Sequence, residues 1–376
     1  MEPVTLIAAD VTLRPVKDTD YPAFAAAMAD RDIFRWTLTP ETFTEDLWDG
    51  YLASTRKLWK RDHVYRWCVV DPASDELLGM VGFLVHRHET LEIVYWMTAA
   101  ARGRGIGERA CRVAITWAFD AAGARRVSWD AIVGNHYSRL LARKLGFTMT
   151  GTARSALDQR GTRVDLWTGE LLPGEMTNTP PAGYPVLRAR AVAFMDEQPV
   201  VKTERPELTL RPFEERDLDD LVEACQDPES VAWTTIPQPY TRAHAEGFLG
   251  IVRAGWAEGT ASIWALSDAE GRYSGSIDLR LKGLRDGEVG FATAPWARGR
   301  GFMTSALKAV SAYGFEVLGC ERITWKAYVG NDGSRRVAEK AGFTIEGILR
   351  ADQMHRGEPR DCWVGSLLRA ESEEEA

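Results

Sequence analysis

Two glycine-rich runs stand out as places where this chain could hold an anionic ligand. The first is Arg102, Gly103, Arg104, Gly105, Ile106 and Gly107. The second is Arg298, Gly299, Arg300, Gly301, Phe302 and Met303. Each sits between a strand pattern and a helix pattern. After the first run, Ala110, Val113, Ala114, Trp117 and Ala121 recur at helical spacing. Glycines at a helix start let the backbone curl around an anion, and the unpaired N–H groups and helix dipole favour negative charge. The chemistry implied is a pyrophosphate held mainly by main chain. No Gly-Lys-Ser/Thr follows, so neither run is a P-loop. Neither run opens a βαβ unit with an acid about 20 residues on, as a dinucleotide fold requires.

A second motif follows each loop: Asn135-x-x-Ser138 and Asn331-x-x-Ser334. Residues three apart at a helix start share a face and can reach one ligand. The same pair is also the ordinary signature of a helix cap. Glu92 and Glu288 open equivalent strands, and Asp165 and Asp361 recur late in each copy. These aspartates either line a pocket or tie down a turn. His86 and His88 alternate on one strand face, but no third ligand accompanies them, so a solvated surface is expected and no metal.

These motifs must be positioned by a duplicated domain. The loops, the Asn-x-x-Ser pairs, Gly146-Phe147 with Gly342-Phe343, and Asp165 with Asp361 all recur at an offset of 196 residues. Thr12-Leu-Arg-Pro15 recurs as Thr209-Leu-Arg-Pro212 at an offset of 197, so one residue was gained or lost between. The period is too long for a solenoid. The expected organisation is a first domain over 1–172, a linker over 173–206, a second domain over 207–370 and an acidic tail over 371–376. Prolines at 180, 181, 185, 199 and 206 predict an extended linker, with a more apolar middle over 184–195 able to dock on a domain. Each copy reads as a strand with Leu-Arg-Pro, one or two helices, several strands, the loop and its helix, another strand, a short helix ending at Gly-Phe, and late strands. That is a mixed α/β unit around a central sheet.

The bulk properties narrow the rest. The chain has 376 residues, and 45% of them are hydrophobic, which is ordinary globular composition and enough for two domains. No apolar run approaches the roughly 20 residues of a membrane span. The start carries no basic segment followed by an apolar one, so no secretory signal is expected. Five scattered cysteines suggest neither zinc nor disulfides and fit a reducing cytoplasm. A net charge of −8 argues against a broad nucleic-acid face and favours a cationic acceptor. The fourteen tryptophans are expected mostly in cores.

Taken together, the loops and their placement resemble the GNAT superfamily of acetyl-CoA-dependent N-acetyltransferases. The family signature is Arg/Gln-x-x-Gly-x-Gly/Ala. Arg102-x-x-Gly105-x-Gly107 meets it fully, and Arg298-x-x-Gly301-x-Met303 meets all but the last position. Leu-Arg-Pro, Asn-x-x-Ser and Gly-Phe are similar to the RimJ/RimL branch. The resemblance implies two GNAT domains and acetyl-CoA as acyl donor. It implies that the fourth strand opens at a bulge and pairs with the pantetheine arm, here through Tyr95, Trp96 and Met97 and through Phe291, Ala292 and Thr293. A backbone N–H there faces the developing oxyanion. The tyrosine that many members use to protonate the thiolate is replaced by Ala142 and Ala338. Ser138 and Ser334 are then expected to meet the thiolate, Asn135 and Asn331 the pantetheine, and Glu92 and Glu288 to serve as bases. The acceptor is expected to be a primary amine on a small molecule, an antibiotic-like compound or a protein N-terminus. Single-domain relatives pair, so the fused copies are expected to form a pseudo-dimer within one, monomeric, chain. Two alternatives remain open: another donor such as aminoacyl-tRNA, and a degenerate second copy that only binds or supports.

Overall fold

The computed structural model describes residues 1–8 and 10–374. Contacts divide the chain into Met1–Ala182 and Gly183–Ala376. In the first unit the strands are β1 (Leu6–Ala8), β2 (Val11–Pro15), β3 (Val64–Val70), β4 (Leu77–His86), β5 (Thr90–Met97), β6 (Arg126–Ile132), β7 (Thr148–Gln159) and β8 (Thr162–Leu171). Its helices are α1 (Tyr21–Met28), α2 (Arg31–Trp36), α3 (Glu45–Lys60), α4 (Ile106–Asp120) and α5 (His136–Leu145). In the second unit α6 (Tyr184–Met195) precedes β9 (Val201–Lys202) and β10 (Thr209–Arg211). Helices α7 (Leu218–Gln226), α8 (Pro228–Trp233) and α9 (Arg242–Glu258) follow. Then come β11 (Ala261–Ser267), β12 (Tyr273–Leu281), β13 (Asp286–Thr293), α10 (Phe302–Glu316), β14 (Arg322–Tyr328), α11 (Asp332–Lys340), β15 (Thr344–His355), β16 (Glu358–Leu368) and α12 (Arg369–Glu374).

The two sheets have one topology. The strand order is β1-β2-β3-β4-β5-β6-β8-β7 in one unit and the matching β9-β10-β11-β12-β13-β14-β16-β15 in the other. All neighbours are antiparallel except β5 with β6 and β13 with β14. A parallel pair needs a crossover, and α4 and α10 supply it. Ile106, Ala110, Ala114, Ile115 and Ala118 of α4 are buried against the sheet, at the spacing expected of one helix face. On the opposite face, Trp96 and Met80 pack with Phe24, Trp48 and Leu52 from the early helices. Trp59, Trp67, Trp129, Trp264 and Trp325 are fully buried, so these five serve cores as the composition predicts.

The repeated Leu-Arg-Pro motif is a structural device. Arg14 makes two hydrogen bonds to the Asp20 carboxylate, at 2.8 and 2.7 Å, and both side chains are buried. Arg211 repeats this with Asp217 at 2.7 and 2.6 Å. Each pair pins the end of a strand to the following helical turn. Burial alone would raise the Asp20 carboxyl, but Arg14 and the Lys17 N–H hold it below its ordinary range. Gly-Phe is a helix stop. Gly146 is left-handed at φ 103°, and Phe147 N–H donates to the Ala142 carbonyl at 3.0 Å. Asp165 and Asp361 tie down backbone, accepting from Ser155 N–H at 2.6 Å and Ala351 N–H at 2.9 Å.

Three details differ from the sequence reading. Residues 184–195 form a helix with Ala191 and Phe194 buried in the second unit, where an extended connector was expected. Pro185 sits in the first turn, where its missing N–H costs nothing. The short helices α2 and α8, six residues each, were too brief to leave a periodic signal. The acidic tail is helical through Glu374, and residues 375–376 lie outside the described residues.

Candidate active site

In both units the site forms where the two parallel strands part. β5 pairs with β6 only from Thr90–Arg126 to Ile93–Trp129. β13 pairs with β14 only from Asp286–Arg322 to Val289–Trp325. Beyond those points Tyr95, Trp96 and Met97, and Phe291, Ala292 and Thr293, have no strand on that side. Each stays in unbroken register with its other neighbour, so the opening is a parting of strands rather than a bulge against β4 or β12. Main-chain groups on such an edge can pair with an extended ligand.

The glycine loops lie beside the parting. Gly103 and Gly105 have φ of 72° and 73°, and Gly299 and Gly301 of 73° and 75°. Two left-handed residues with one residue between them, at a helix start, turn N–H groups inward and make an anion nest. A side chain at either position would be strained. Ile106 and Phe302 point into the cores, so they can serve a ligand only through main chain. Arg102 is tied down, with Asp30 at 2.8 Å and Asp32 at 2.9 Å, and Arg298 likewise with Asp227 and Glu229. These contacts explain α2 and α8: they anchor the signature arginine. Arg104 donates to the Ala100 carbonyl at 3.3 Å, and Arg300 lies 4.2 Å over the Phe302 ring. Arg109 and Arg205, which the sequence reading missed, reach over the nests. A Cβ on Gly105 would lie 2.8 Å from Arg109 Nη1, and one on Gly301 would lie 3.0 Å from Arg205 Nη2. Arg109 was findable, one helical turn past Gly105. Arg205 has no counterpart in the repeat.

Met303 has a local explanation. A Cβ on Gly107 would lie 3.3 Å from Met97 Cγ. In the second copy the position of Met97 is Thr293, and Met303 is buried in the core. The large and small residues have exchanged places between strand and helix, which keeps the volume filled.

Asn135 and Asn331 cap their helices, accepting from Ser138 N–H at 3.2 Å and Ser334 N–H at 3.1 Å. The capped turn holds each serine against a buried tryptophan. Trp129 Nε1–H donates to Ser138 Oγ at 3.0 Å, and Trp325 Nε1–H to Ser334 Oγ at 3.1 Å. In the first unit alone a phenol joins: the Tyr95 and Ser138 hydroxyls are 2.8 Å apart. Its counterpart is Phe291. Neither contact was legible: the tyrosine joins a strand to a helix 43 residues on, and the tryptophan pairs with its serine 9 residues on across a strand-to-helix turn, which no periodicity marks.

On the other face, Glu92 pairs with His86 at 2.7 Å. Glu288 pairs with Arg280 at 3.0 Å and Lys282 at 3.6 Å. Two further carboxyls were missed. Desolvation by the surrounding strands and then the Glu92 charge push Asp130 up to about 6, against the pull of His86. Burial pushes Asp278 up to about 6, with Arg280 opposing and Glu288 adding. Both stand nearer neutrality than any other shifted carboxyl described. No group of His, Cys, Asp and Glu able to hold a metal occurs among the described residues.

A cavity of about 120 Å³ opens in the second unit. Gly290 and Phe291 of β13, residues 325–328 of β14, the cap Asn331, Ser334 of α11, Trp233 and Gln353 line it. It lies in the parting of the strands, and the serine faces it.

Comparison with known proteins identifies the family. The acetyltransferase (GNAT) domain family matches residues 10–148 and 207–344. The chain therefore belongs to the GNAT family and carries its domain twice, and it is an acetyltransferase. It is 38% identical over 101 residues to a Bacillus subtilis protein provisionally named ribosomal N-acetyltransferase YdaF, covering 26% of this chain. The match spans 55% of that relative's length. It is 25% identical over 174 residues to the uncharacterized N-acetyltransferase YoaA of Bacillus subtilis, covering 46% of this chain and 97% of that one. A solved GCN5-related N-acetyltransferase from Brucella melitensis is 27% identical with a TM-score of 0.41, covering 47% of this chain and 81% of that one.

Proposed function

We propose that the chain transfers an acetyl group from acetyl-CoA to a primary amine, by direct attack of the amine on the thioester. The observation that carries this reading is the same constellation occurring twice. Each unit sets a left-handed glycine nest, an open strand edge and a tryptophan-held serine around one parting of the sheet. The nest suits the pyrophosphate of the donor, and the strand edge suits its pantetheine arm. The serine hydroxyl suits a departing thiolate. Holding donor and amine together supplies much of the acceleration. Asp130 and Asp278, with Glu92 and Glu288, lie on the acceptor face and suit a cationic amine; Asp130 and Asp278 suit proton removal near neutral pH. An amine on a small molecule, an antibiotic-like compound or a protein N-terminus fits equally. Free cysteines suit a reducing compartment such as the cytoplasm.

The cavity beside Ser334 favours a working second copy over a degenerate one. Thiol release from acetyl-CoA, measured against a panel of amines, tests the reading. Turnover should fall in Ser138→Ala and in Ser334→Ala, and nearly vanish in the double variant. Release that ignores both serines would remove them from the reaction. Activity only with aminoacyl-tRNA would replace the donor.

A further inference from the structure

We infer that Tyr95 is a positioning residue that strengthens Ser138 as a proton donor, so that the two copies treat the departing thiolate differently. The inference rests on the reading of both partings as acetyl-CoA sites. A serine oxygen can accept two hydrogen bonds while donating one. Trp129 takes one lone pair of Ser138 Oγ, and Tyr95 stands 2.8 Å away to take the other. With both taken, the serine's own hydrogen is left for a ligand. The single phenol hydrogen has two acceptors in reach, Ser138 Oγ at 2.8 Å and the Ser138 carbonyl at 3.3 Å, and the inference assigns it to the shorter contact. Burial pushes the Tyr95 phenol up, so it remains a donor at neutral pH.

In the reaction the amine nitrogen bonds to the thioester carbon. The C–S bond then breaks, and its electron pair goes to sulfur. The Ser138 hydroxyl proton passes to that sulfur, and the proton shed by nitrogen restores the serine. During transfer, negative charge grows on Ser138 Oγ. Two donors aimed at that oxygen stabilise it more than one does. In the second unit Phe291 offers no hydroxyl, and Ser334 Oγ accepts from Trp325 at 3.1 Å. The natural phenylalanine there also indicates that the fold accommodates Tyr95→Phe.

The test needs no acceptor. Coenzyme A itself is bound to the full chain, and its thiol is titrated by ultraviolet thiolate absorbance. A stronger donor to sulfur lowers the thiol's titration midpoint. With Ser334→Ala as background, Tyr95→Phe should make the first unit's bound thiol about three- to tenfold less acidic. With Ser138→Ala as background, Phe291→Tyr should make the second unit's thiol more acidic by a similar factor. A purely structural tyrosine would move neither midpoint, and certainly could not confer the gain at 291. Unchanged midpoints with coenzyme A bound would overturn the inference alone. No binding of coenzyme A to either unit would overturn the donor reading and this inference with it.

Discussion

The two copies share a scaffold and differ in the side chains around the parting of the sheet. Both keep the buried Arg–Asp pair, the αL nest, the parted strands and the tryptophan-held serine. They differ at Tyr95 and Phe291, at Gly107 and Met303, at Gly82 and Asp278, and at Asp130 and Lys326. The shared features are main-chain geometry and its supports. The divergent ones are side chains facing the parting or packed just behind it. The main-chain frame is thus the same in both copies, and the side chains around each parting differ. The departure of Met303 from the signature belongs to packing, because its volume is taken back at Thr293.

The largest expected effect tests the shared frame. Removing one partner of a buried ion pair leaves the other uncompensated and costs roughly 3–5 kcal/mol. Asp217→Ala should lose about that much in denaturant unfolding, and Asp20→Ala less, because Arg14 keeps Asp75 at 2.6 Å whereas Arg211 keeps only Glu214 at 3.8 Å. A larger loss for Asp20→Ala than for Asp217→Ala would contradict this account of the frame. Next comes the volume exchange. Gly107→Met should cost about 1–3 kcal/mol by overpacking Met97, and adding Met97→Thr should recover much of it. If the double variant is no better than the single, the exchange is not what accommodates Met303. Then come the serines: Ser138→Ala and Ser334→Ala should each slow turnover of their own unit about ten- to hundredfold, read as kcat with each acceptor. Equal effects on every acceptor would mean the copies share one specificity. The smallest effect concerns pH. Asp278 is raised from 3.8 to about 6, so between those values the native state holds more protons than the unfolded one. Stability therefore falls as pH rises through that window. Asp278→Asn should flatten the slope there, and an unchanged slope would remove Asp278 as its source.

Much of this was legible because it repeats. The loops, Asn-x-x-Ser, Leu-Arg-Pro and Gly-Phe could be found as motifs. Their jobs separated only in three dimensions. Leu-Arg-Pro and Gly-Phe turn out to hold a strand end and stop a helix, through Asp20 and the Ala142 carbonyl. The glycine loop was readable because a positive φ has a sequence cost that only glycine escapes. The phenol on Ser138 was not, since it joins residues 43 apart and no periodicity marks it. Helix α6 was hidden by its proline, which in the first turn permits a helix rather than breaking it.

The central claim is that both nests bind the acyl donor. Calorimetric titration of the full chain with acetyl-CoA tests it most directly. Two equivalents are predicted, with Gly301 and the buried Met303 as competent as Gly105 and Gly107. One equivalent, or none at millimolar acetyl-CoA, would contradict it.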